Sequence, residues 1–228
     1  MTVAKVPAFL EVLSGLDGRK RETFVEMALV LRRAGQLPPT KRGLGSNAVD
    51  SFMAANFLIA ALSDAGPAAC PRAVEVYRSL RPRRSGGAGR TVPGLHAVAS
   101  CATFGEAVEA LIERGPQIKA DVLRVLGLVY PDVPKDRSLE LGAVQIELSV
   151  QRPIPYARLS MKVANEVGLH IEEFSAEWTV DMSLVDAGFY RPEMIAAQAD
   201  KRSVSTIGHR AIFELSELIA EQPAAVAA

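Results

Sequence analysis

The chain has 228 residues, 49% of them hydrophobic, which supplies apolar material for a real core and excludes disorder along its whole length. No apolar run reaches the roughly 18 residues of a membrane span and the first residues make a poor signal peptide, so a cytoplasmic protein is expected. Twenty-six Lys/Arg balance 26 Asp/Glu, but unevenly: residues 1–100 carry fourteen cations and seven carboxylates, residues 101–228 twelve and nineteen. Such a split suits a first half that meets a polyanion and a second that meets protein, or neighbouring subunits whose halves attract.

In chain order, Phe9 to Leu16 reads as a short helix that stops at Asp17-Gly18. A longer helix follows from Arg19 to Ala34, with Phe24, Ala28 and Leu31 on one face and Gly35 as a left-handed stop. A basic loop, Gln36 to Gly45, leads to a third helix capped at Ser46-Asn47 and running to Leu62. Helix, tight turn, helix, basic loop, helix is the order of a winged helix-turn-helix. Arg19, Lys20 and Arg21 open the second helix, Arg32 and Arg33 close it, and Lys41 and Arg42 sit in the loop, so phosphates would meet positive charge at several points. Glu22 and Glu26 lie on the same helix and oppose that reading; without phosphate contact it is an ordinary amphipathic helix with mixed surface charge.

Leu31 to Pro38, Arg42-Gly43-Leu44-Gly45 and Ala54 to Leu62 together resemble the amino-terminal part of small uncharacterised proteins of bacterial prophages and phage-like elements. The match covers about a quarter of the chain. The resemblance implies a helix-turn-helix-like region in a phage setting and says little about activity.

Beyond a break at Ala65 to Pro71, a short helix spans Arg72 to Leu80. Arg81 to Arg90 follows, a glycine-rich stretch carrying Arg83, Arg84 and Arg90, which is either an exposed loop or an arm tracking a phosphate backbone. Thr103 and Glu106 have capping-box spacing for a helix to Arg114, ended by Gly115-Pro116. Ile118 to Val129 fits a helix or a buried strand. Val144 to Val150 alternates with period two, Arg152 to Pro155 turns the chain and Tyr156 to Val163 alternates again, which makes a hairpin. Leu169 to Trp178 is a third strand suited by its polarity to a sheet edge. A helix from Thr206 to Glu221 closes the chain.

The expected fold class is α+β. A helical, winged-helix-like domain over 1–115 precedes a smaller sheet module with a carboxy-terminal helix over 116–228, which serves oligomerisation or protein binding. Cys70 and Cys101 are expected as reduced thiols. His96, His170 and His209 fall on separate elements without ligand spacing, and no nucleophile elbow, dinucleotide fingerprint or metal motif occurs. No cofactor, metal or catalytic residue is therefore expected. The function expected is a phage-type DNA-binding regulator, homodimeric, in contact with duplex DNA and with the transcription machinery or another host protein. The alternatives are a small-terminase-like packaging protein and a host-protein inhibitor that does not touch DNA.

Overall fold

The computed structural model describes residues 5–39, 48–87, 92–134, 137, 139–140, 142–164, 170–198 and 202–220. Its elements are α1 Val6–Asp17, α2 Arg21–Arg33, α3 Ser51–Leu62, α4 Cys70–Arg78, β1 Arg81–Gly87, α5 Pro93–Ala99, α6 Phe104–Glu113 and α7 Gly115–Val129. They are followed by β2 Val144–Arg152, β3 Tyr156–Ala164, β4 His170–Thr179, α8 Met182–Asp186, α9 Arg191–Ala196, β5 Ser203–Gly208 and α10 His209–Ala220. The fold is α+β, as its periodicities require. Among the described residues the strands form one antiparallel sheet in the order β1-β4-β3-β2-β5.

The helices cover one face of that sheet. Val144, Ile146, Leu148 and Val150 of β2, Leu159, Met161 and Val163 of β3, and Phe174 and Trp178 of β4 are buried against them, while the alternate residues face water. Within the helical layer α3 is apolar all round, and its ten residues from Met53 to Leu62 are all buried. Asp50 starts it, accepting from the Met53 amide at 2.8 Å. The expected cap at Ser46-Asn47 lies outside the described residues. Gly18 (φ +85°) and Gly35 (φ +75°) end α1 and α2 in the left-handed region, where a side chain would be strained.

Several expectations need correction. Arg81 to Gly87 is no free arm: it is the edge strand β1, paired to β4 with an irregularity between Pro82 and Arg84. Glycine and arginine conceal a strand whose partner lies about ninety residues away. For the same reason β4 is an interior strand and not the sheet edge. Gly115-Pro116 does not separate two elements by a loop; it forms the first turn of α7, one residue after α6, because proline lacks the amide that a first turn leaves unpaired. Ile118 to Val129 is helical. Thr206 and Ile207 belong to β5, and the last helix begins only at His209. Helix α5 has seven residues, too few to show a 3.6-residue repeat.

The expected boundary at 115/116 falls inside the first turn of α7, and contacts cross it. β1 hydrogen-bonds to β4, α10 packs on α1 and α6, and Phe104 lies 5.4 Å from Trp178. One buried apolar cluster runs through both layers.

Candidate functional site

The basic residues named from sequence divide into those that hold the fold and those that face water. Arg19 belongs to the first group: its Nη2 donates to Asp17 at 2.8 Å and to the Ala61 carbonyl at 2.7 Å, and its guanidinium lies 5.1 Å from the centre of the Phe24 ring. It ties the α1–α2 turn to the end of α3. Hydrogen bonding to Asp17 outweighs the opposing effect of burial and raises its pKa. Arg32 donates through Nε to the Pro38 carbonyl at 3.1 Å, and Arg21 pairs with Glu11 at 3.0 Å with both groups exposed. Lys20, Arg33 and Arg83 are exposed. Lys41, Arg42, Arg90 and the side chain of Arg84 lie outside the described residues.

The outer face of α2 is not a cationic surface. Val25 and Leu29, at i, i+4, are 46% and 44% exposed, and Glu22 and Glu26 are exposed beside them. The charge asymmetry of the two halves has an internal outlet as well. Arg72 pairs with Glu193 at 3.0 Å, Arg81 with Asp181 at 3.1 Å, and Arg78 with Glu109. Part of the cationic excess of the first half therefore meets carboxylates of the second half within the same chain.

Two of the stretches that carry the phage-type resemblance, Leu31 to Pro38 and Ala54 to Leu62, have a structural role; Arg42 to Gly45 lies outside the described residues. Asn56, fully buried, donates from Nδ2 to the Gln36 carbonyl at 2.7 Å and accepts from Arg78 Nη1 at 2.8 Å. Arg78 also stacks 4.6 Å from the centre of the Phe52 ring. With Gly35 turning the chain and Leu37 buried, the network fastens the segment after α2 to α3, α4 and α6. A buried polar network of this kind specifies one arrangement of the helices.

A cleft of about 630 Å³ opens between the segment after α3, helix α4, the β2–β3 turn and α9. Its walls are small and apolar: Ala69, Ala73, Val76, Pro153, Pro155 and Ala196. Polar side chains share the lining. Arg72 is clamped by Glu193, with Nε and Nη2 each at 3.0 Å, by Glu75 at 3.1 Å and by the Phe189 carbonyl, and it stacks 4.4 Å from the centre of the Phe189 ring. Burial opposes its charge, but these carboxylates more than compensate and raise its pKa. Tyr77 donates to the Gln151 carbonyl at 2.7 Å, and burial pushes its phenol up, so it is neutral at physiological pH. Arg152, at the end of β2, reaches Asp64 at 3.1 Å. Tyr190, buried, shares a 2.7 Å hydrogen bond with Ser79 and anchors the α8–α9 excursion against α4.

Sequence reasoning missed this cleft because its lining comes from residues 63–77, 152–155 and 192–203, which only the fold brings together. The one local signal was the Arg152-Pro153-Ile154-Pro155 turn, read only as a chain reversal. Elsewhere, His96 and His209 pack against Phe174 and Phe213. Both cysteines are free thiols; Cys70 is buried and pushed up to about 11 by that burial. Among the described residues no group of three His, Cys, Asp or Glu is placed to hold a metal, and no helix is long and apolar enough to cross a membrane. Comparison with protein-family models, curated proteins and solved structures gives no match.

Proposed function

We propose that this protein is a recognition protein that acts by holding a ligand in the cleft beside α4. The cleft itself carries the reading: at about 630 Å³ it lies within the roughly 300–1,000 Å³ of small-molecule sites, with apolar walls and a few fixed polar groups in its lining. Tyr77 and Arg72 are committed to joining α4 to the sheet and to α9, which suits binding more than proton transfer. The test is titration of the full-length protein with the neutral fluorophore Nile red. One saturable site is expected, and Ala73→Phe, which fills the cleft from α4, abolishes it. Absent or non-saturable binding, or binding indifferent to Ala73→Phe, overturns the reading.

A second reading is the DNA-binding regulator, in which the α1–α2 corner and the following loop act as a winged helix in a homodimer. It is favoured by the exposure of Lys20, Arg21 and Arg33 at the two ends of α2, to which Lys41 and Arg42 would add. Five such contacts give a slope of log affinity against log salt of roughly −4 to −5. Absence of duplex binding near about 50 mM salt, where contacts of this kind are strong, eliminates it. Light scattering would report the dimer, and a ring would favour the packaging role instead. A cleft ligand and a DNA surface use different elements, so both readings are compatible in one protein.

A further inference from the structure

We infer that the cleft takes a small organic carboxylate with an apolar body, an inference that rests on the binding role proposed above. Two arginines and one carboxylate line the cleft: Arg72, Arg152 and Glu193. They are not equivalent. All three guanidinium nitrogens of Arg72 are engaged, by Glu193, Glu75 and the Phe189 carbonyl, so its charge is balanced and its position fixed. It is a wall.

Arg152 is different. Its side chain is 39% exposed and only Nη2 is engaged, by Asp64 at 3.1 Å. Its Nε and Nη1 meet no acceptor among the described residues. Asp64 is itself 62% exposed and is not among the residues that line the cleft. The lining thus keeps one arginine that is paired through a single nitrogen and carries unused N–H groups. Guanidinium pairs with a carboxylate through two parallel hydrogen bonds, and such charge-assisted bonds are about twice as strong as neutral ones. The Ala and Pro walls beyond it offer no further charge, which leaves the rest of the ligand apolar.

Asp64 sits in the left-handed region at φ +51°, a conformation asparagine also tolerates. Asp64→Asn therefore removes the competing carboxylate with little change of backbone. Its effect on the ligand is opposite in sign to that of Arg152→Gln, which removes the charge.

The experiment is calorimetric titration of the full-length protein with sodium decanoate and, separately, with decan-1-ol. Decanoate is expected to bind about tenfold more tightly than decanol, a difference of about 1.4 kcal/mol. Arg152→Gln is expected to erase that difference while leaving decanol binding in place, Asp64→Asn to strengthen decanoate severalfold without affecting decanol, and Ala73→Phe to abolish both. Equal affinity for the two probes, or a decanoate affinity that neither Arg152→Gln nor Asp64→Asn moves, overturns the inference. If Nile red still binds in an Ala73-dependent way, the cleft reading survives that failure; if neither Nile red nor either probe binds, both fall together.

Discussion

At the residue scale, Gly115 of α7 packs directly against Ser216 of α10. A Cβ at position 115 would stand 2.1 Å from Ser216 Oγ and 2.3 Å from its Cβ. Ser216 is buried and donates to the Ile212 carbonyl at 2.6 Å, so it has no room to yield. Gly115→Ala is expected to destabilise by about 1–3 kcal/mol through overpacking. Ser216→Gly alone costs about 0.5 kcal/mol in helix propensity, yet it empties the space the new methyl needs. The double variant should therefore be more stable than the two losses added together, by about 1 kcal/mol or more in urea melts. Simple additivity would show that the helices do not meet at this point.

Another residue-scale consequence concerns pH. Burial lowers the pKa of His209 below its ordinary value, so near neutral pH the folded chain binds fewer protons there than the unfolded chain. Stability then rises with pH across this group. It is fully present above the unfolded value of about 6.5 and is lost as pH falls from there through the folded value. His209→Gln should flatten the stability profile in that window. An unchanged profile would assign the acid sensitivity to other groups.

At the scale of elements, the helices with clean 3.6-residue patterns were legible in the sequence because their caps and stops are local. Thr103 accepts from the Glu106 amide at 3.2 Å, as the capping spacing requires, although Glu106 reaches back to the Ala102 amide. Strands β2 and β3 were legible for a similar reason: a half-buried antiparallel strand writes its two faces into alternate residues. β1 was not, since Arg81-Pro82-Arg83-Arg84-Ser85-Gly86-Gly87 contains no apolar alternation, and its pairing with β4 supplies what its side chains lack. Native-state hydrogen exchange should find those amides of 81–87 that bond to β4 protected well beyond peptide rates. Exchange at free-peptide rates throughout the segment would return it to the status of a loop.

For the whole molecule, layers that look separable in sequence share one core. Helix α10 docks on α1, α6 and α7, and the backbone of β1 pairs with β4 in the sheet. A fragment ending at residue 115 would expose the surfaces that α7, α10 and the sheet cover, Phe104 and Tyr77 among them. It is expected to give no cooperative thermal transition by circular dichroism, whereas the full chain melts as one unit. A cooperative melt of the fragment would show that the helices carry a core of their own.

Features written over short distances are legible along the chain alone: the α+β class, most helices, the central hairpin, the glycine stops and the uneven distribution of charge. Hydrophobic period, capping and turn chemistry act over a few residues, so they can be read without a partner. The tertiary structure alone decided where the charges go. Arg19, named as a phosphate contact, is held by Asp17 and Ala61, and Arg72 and Arg81 meet Glu193 and Asp181 more than a hundred or about a hundred residues away. It alone also assembled the cleft, because a pocket lined from residues 63–77, 152–155 and 192–203 has no counterpart in any local pattern. Side-chain chemistry is a property of each residue, but the free energy of a charge or an apolar wall depends on what the folded chain places beside it.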